Sequence, residues 1–169
     1  MRKWLLVLSL AAVFYIDNMF FSSIGLYGIR PDLMLAVAVS LGVLMGPAPA
    51  AAIGFGMGLL TDVIFNKIVG LSALTYMLSG VAGGLFYRKF FADNLIIPTA
   101  TATVCSFIKE HVFLIAVLIC GSRPPYFMTL LTYILPCLLL TGGSCALIHL
   151  FFKHALYRPL WRQGAIKLE

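Results

Sequence analysis

Long apolar runs follow one another along nearly the whole of this chain, separated only by short stretches of Gly, Pro and charge. No other feature limits the fold as much. A helix needs about 20 predominantly apolar residues to cross the roughly 30 Å hydrocarbon layer of a bilayer. In that layer each segment must satisfy its own backbone hydrogen bonds, so the runs predict helices. Composition agrees: 62% of residues are hydrophobic and 11% charged, where water-soluble domains run near a quarter charged. The expected fold is an all-α integral membrane bundle. At 169 residues it forms a single domain, residues 1–169. The net charge of +6 then speaks to topology and anionic lipid. No basic-aromatic ladder or nucleic-acid motif accompanies it, so nucleic acid is not an expected partner.

Six transmembrane spans can be placed, at about 4–21, 31–45, 47–65, 70–87, 95–120 and 126–152, with a basic tail at 153–169. The first follows Arg2-Lys3 and lacks a clean small-x-small cleavage site, so it is expected to stay as a span. With six spans both termini share a side. That side carries Arg2, Lys3, Arg88, Lys89, Lys153, Arg158, Arg162 and Lys167, against Arg30, Lys67 and Arg123 on the other. The bias predicts a multi-pass protein with both termini cytoplasmic. Tyr157 and Trp161 in the tail fit an interfacial anchor.

The second span is short. From Leu33 to Met45 it has 13 residues, about 20 Å of helix. Either the bilayer thins there, or Arg30-Pro31-Asp32 is drawn toward the hydrocarbon. Pro at a first helical position with an acid beside it is a good helix start. That accounts for Pro31 and Asp32 and leaves Arg30 unexplained.

On the third span Ala50, Gly54, Gly58 and Asp62 form one i, i+4 row, and the fourth carries Tyr76, Gly80 and Gly84. Two faces of small residues joined by a short turn predict a close helical hairpin, with Gly54, Gly58, Gly70, Gly80 and Gly84 as its packing glycines. Alternating span direction brings Arg30, Asp32, Asp62 and Tyr76 to similar depth near the outer leaflet. A carboxylate in that zone is neutralised or paired. Arg30 is the expected partner of Asp62, with the Tyr76 hydroxyl as a second donor. The cluster is either a clamp on spans two to four or the base of a ligand or partner site.

Lys109-Glu110-His111 lies mid-way along the fifth span, where ionisable groups are costly and usually functional. Successive helix positions point about 100° apart, so the three fan out and face the bundle interior, a cavity or a partner helix. The alternative is a broken fifth span with the triplet in an interfacial turn. Only about nine apolar residues would then follow, too few to cross.

Catalysis is not expected. Gly70-Leu71-Ser72-Ala73 is the nearest thing to a nucleophile motif, and His149 lies about 30 Å from Ser72 along the span direction. A nucleophile and its base must come within about 3 Å. Cys105, Cys120, Cys137 and Cys145 sit in apolar segments without CxxC spacing and serve as small buried hydrophobes. No metal or other cofactor is expected.

Taken together, RPDLML at Arg30–Leu35, GFGMGLLTD (GxxxGLLTD) ending at Asp62 and GLSALTY at Gly70–Tyr76 resemble the rod shape-determining protein MreD family. The resemblance is specific over about residues 30–85. It implies a non-enzymatic component of the bacterial cell-elongation machinery in the cytoplasmic membrane. MreD-like proteins associate with MreC. Through it they link MreB filaments to RodA and a class B penicillin-binding protein in peptidoglycan synthesis. It further implies a fold similar to the six-helix substrate-binding subunits of energy-coupling-factor vitamin transporters. The matching positions are Pro31, Asp32, Gly54, Gly58, Asp62, Gly70 and Tyr76, whose implied role is to shape the fold and a partner-facing surface. Lys109 and Glu110 fall in no motif of that family. A vitamin-binding transporter subunit is the rival function; it needs a polar or aromatic pocket open to the outside.

Overall fold

The structure, a computed structural model, describes residues 3–20, 30–65, 69–87, 95–119, 121 and 126–154. Cys120, most of the tail, and the basic residues Arg2, Lys67, Arg88, Lys89, Arg123, Arg158, Arg162 and Lys167 lie outside them. The described residues form six helical stretches and no strand. α1 is Lys3–Tyr15, running on into a π-turn at Ile16–Phe20. α2 is Leu33–Met45, α3 Pro47–Phe65, α4 Leu71–Gly84 and α5 Ile96–Ile119. α6 covers residues 126–152 and is π-wound over Leu130–Ile134. The π-turn in α6 has a local cause. Pro136 has no N–H to donate, and just before it Leu135 N bonds to Leu130 O, five residues back.

α2 is the axle of the bundle and packs against all five other helices. Its sequence, LMLAVAVSLGVLM, is apolar on every side, and a helix of that kind belongs in an interior. Every residue from Leu33 to Gly42 is buried. Val37, Leu41 and Leu44 pack with Leu10, Ala50 and Phe152, while Met34, Leu35, Ala36 and Val39 pack with Tyr76, Ala102 and Cys145. This explains the short second span differently from both expectations. A helix enclosed by protein need not match the bilayer at all. The apolar surface is turned outward, with Phe55, Leu59, Val104, Ile108, Ile115, Leu139 and Leu147 exposed. Among the described helices, Pro47–Phe65, Ile96–Ile119 and Leu130–Phe152 are long and apolar enough to cross a membrane.

α3 and α4 form the closest pair, built from reciprocal small residues. A Cβ on Gly54 would come 2.6 Å from Tyr76 O, and one on Gly58 2.5 Å from the Ala73 Cα. In return a Cβ on Gly80 would sit 2.8 Å from Ala50 O, and one on Gly84 would strike Pro47. The seam therefore closes on the protein's own hairpin and offers no outward groove. Gly70 does not belong to it. A Cβ there meets nothing, and what its position requires is φ +103°, a left-handed turn conformation that glycine adopts without strain. Gly58→Val is expected to force the helices apart at a cost of about 1–3 kcal/mol. Thermal unfolding in detergent should show a lowered midpoint, whereas Gly56→Ala, where a Cβ meets nothing within 4 Å, should leave it unchanged.

Candidate functional site

The start of α2 lies inside the bundle, so its leading amides need partners other than water. Side chains supply them from three directions. Asp32 caps the helix with Oδ1 accepting from Leu35 N at 2.9 Å. Asp17, from the π-turn of α1, accepts from Leu33 N at 2.9 Å. Thr141 Oγ1, from α6, accepts from Asp32 N at 3.0 Å. Two acidic side chains thus converge on one helix N-terminus, where the macrodipole also favours negative charge.

The balancing cation is Lys109. Its Nζ forms an ion pair with Asp32 Oδ2 and sits 5.2 Å from the Tyr76 ring centroid and 5.4 Å from that of Phe113. Both distances lie within cation–π range. Helix lengths explain the meeting. Asp32 stands one full α2 length above Met45, and Lys109 lies 13 residues after Ile96. At 1.5 Å per residue both are about 20 Å from the same end of the bundle. α5 is continuous through Lys109, so the triplet lies within an unbroken helix and not in a turn.

Around this pair is a cavity of about 650 Å³, at the end where α1, α3 and α5 finish and α2, α4 and α6 begin. Asp17, Arg30, Pro31, Asp32, Tyr76, Lys109, Glu110 and Tyr133 line it, together with Phe65 and Phe113. The three positions of the charged triplet do fan out. Lys109 and Glu110 face the cavity, while His111 turns away, with its ring 4.1 Å from that of Phe107 and Nδ1 2.9 Å from Phe107 O.

Asp62 belongs to a second polar system. It is fully buried, and its Oδ2 accepts from the backbone amides of Gly70 at 2.9 Å, Ser72 at 2.9 Å and Ala73 at 3.1 Å. It caps α4 from the end of α3 and locks the hairpin turn. The expected Arg30–Asp62 pair gives way to this arrangement. Arg30 is exposed at the cavity, its carbonyl accepting from Cys137 Sγ at 2.8 Å. The Tyr76 ring lies beside Lys109 at that cavity. The candidate cluster therefore divides: Arg30, Pro31, Asp32 and Tyr76 line the cavity, and Asp62 holds the turn. Amides are available to Asp62 because the first turn of α4 has four N–H groups without intrahelical acceptors.

Asp17 escaped the sequence argument although its signal was present. It is an acid inside the first apolar span, followed by Asn18, and the cost argument that singled out Lys109 applies equally to it. Ser72 lines the cavity end, whereas His149 sits in the last turn of α6. That is 16 residues beyond Tyr133, about 24 Å along the helix. Cys105, Cys137 and Cys145 are free thiols.

The fold and site define a polytopic helical membrane protein whose interior polar groups fasten helices together beside a mixed-charge cavity. Compared with families of known proteins, residues 1–123 match the one described as rod shape-determining protein MreD. The match spans well over half of the sequence, α1 through α5, and the chain belongs to that family. It contains every cavity residue named above except Tyr133. Comparison with curated proteins and with solved structures gave no match.

Proposed function

We propose that this chain is a non-enzymatic scaffold of the bacterial cell-elongation complex, which binds MreC in the cytoplasmic membrane. Through MreC it helps couple MreB filaments to peptidoglycan synthesis by RodA and a class B penicillin-binding protein, and so maintains rod shape. The family match over residues 1–123 carries this reading. The use of polar side chains supports it: Asp17, Asp32, Thr141, Lys109 and Asp62 cap or pair within the bundle. The charge bias of the connections supports cytoplasmic termini, which sets the cavity toward the outer leaflet. A likeness to vitamin-binding transporter subunits follows from the family resemblance and is part of the proposal for the fold alone.

The test is co-expression of the tagged chain with MreC from the same organism, followed by purification in mild detergent. MreC is expected to co-elute stoichiometrically with the wild type. A well-folded chain that leaves MreC behind, or one stabilised by a vitamin in thermal melts, overturns the scaffold reading in favour of the transporter one.

A further inference from the structure

The cavity holds more charge than fastening the helices uses. The Asp32–Lys109 pair is internally balanced, and Asp32 Oδ1 is occupied by Leu35 N. Asp17 gives one oxygen to Leu33 N. Among the described residues, no hydrogen bond or ion pair engages the Glu110 carboxylate or the Arg30 guanidinium, yet both line the cavity. Tyr76, Tyr133 and Phe113 supply aromatic walls. At about 650 Å³ the space is in the range of small-molecule sites, about 300–1,000 Å³.

A second observation points to the same place. The two π-turns lining the cavity, Ile16–Phe20 and Leu130–Ile134, contribute Asp17 and Tyr133 to it. π-turns are rare and occur frequently at functional sites, and the one in α6 is also accommodated by Pro136. Here one turn aims a carboxylate and the other a phenol into the same space.

We propose that this cavity binds a zwitterion that joins a primary ammonium to a phosphate or carboxylate. The ammonium sits against Glu110 and the aromatic rings, where three N–H donors meet a carboxylate and ring faces. The anionic end reaches Arg30, whose planar fork suits phosphate and carboxylate oxygens. Such a group can come from a free small molecule or from the head of an aminophospholipid in the surrounding leaflet. The site does not depend on the scaffold reading.

The full-length protein would be purified in detergent and titrated with phosphoethanolamine, with binding followed by calorimetry. In parallel, protein in nanodiscs of phosphatidylethanolamine and phosphatidylglycerol would be assayed for retained lipid by native mass spectrometry. Glu110→Gln and Arg30→Gln remove one charge each and leave every cap hydrogen bond and the Asp32–Lys109 contact in place, and thermal melts check that each folds as the wild type does. Each is expected to weaken binding about tenfold, the effect of losing roughly 1.4 kcal/mol of interaction. Saturable binding of phosphoethanolamine that both variants weaken supports the site and a soluble source. Selective retention of phosphatidylethanolamine, lost in both variants, supports the site and a lipid source. Absence of both, or binding that neither variant changes, overturns the proposal.

Discussion

Lys109→Met should be the most destabilising single change at the cavity, because it strands Asp32 as an uncompensated carboxylate that is only 6% exposed. Breaking a buried pair from one side typically costs about 3–5 kcal/mol, since the remaining charge keeps its full desolvation penalty. Thermal unfolding in detergent should show the loss as a markedly lowered midpoint. The double variant Asp32→Asn/Lys109→Met is expected to recover a large part of it. Both charges are then gone, and asparagine still caps the Leu35 amide about as well as aspartate. If the double variant is no more stable than the single one, the pair is not what holds the start of α2 to α5. The prediction concerns the balance of charge and not the attraction alone. Burying an ion pair is expensive to begin with, so its removal as a unit costs far less than its disruption.

Asp62→Ala should be nearly as damaging for a different reason. Three amides at the head of α4 would lose the buried carboxylate that accepts from all of them. Hydrogen bonds to charged groups contribute about 1.5–3 kcal/mol each in water-soluble proteins, whereas those measured within membranes average about 0.6. Three together come to about 2 kcal/mol at the membrane value and about 4.5 kcal/mol at the lower end of the water-soluble range. Asp62→Asn keeps one acceptor oxygen without the charge and should lose about half as much. Hydrogen exchange should accelerate first at the amides of Gly70, Ser72 and Ala73. Retention of MreC by Asp62→Ala should fall only in step with that local opening. Loss of MreC from a variant whose turn exchanges at the wild-type rate would place Asp62 at the partner surface instead of the hairpin turn.

Much of the polar layout could be anticipated because charge in an apolar span is conspicuous. Lys109 and Asp62 stood out for that reason, and counting residues along each span put Asp32, Asp62 and Tyr76 at a common end. Their partners were harder to anticipate. Asp62 was matched to Arg30 on depth and opposite charge, but the nearest donors to a carboxylate at a helix end are the amides of the turn that follows. Counting could also have linked Lys109 to Asp32, since both lie about 20 Å from one end, had the continuity of α5 been known. Gly70 carries another lesson. Its place in a glycine-rich stretch suggested packing, while its backbone angle shows that the turn itself requires it.

By itself, the sequence determined that the chain is helical and that its described residues fall into six helical stretches. A backbone in hydrocarbon must bond within its own segment, so the length of each apolar run sets each helix. It also determined that the glycine-bearing faces of α3 and α4 would meet, because a short connection leaves adjacent helices little choice of neighbour. Only the tertiary structure decided that α2 lies at the centre. A helix apolar on all sides has no preferred face, and nothing in its periodicity says which helices surround it. That central position carries Asp32 into the interior, brings Asp17, Thr141 and Lys109 to it from three separate helices, and leaves the cavity open beside them.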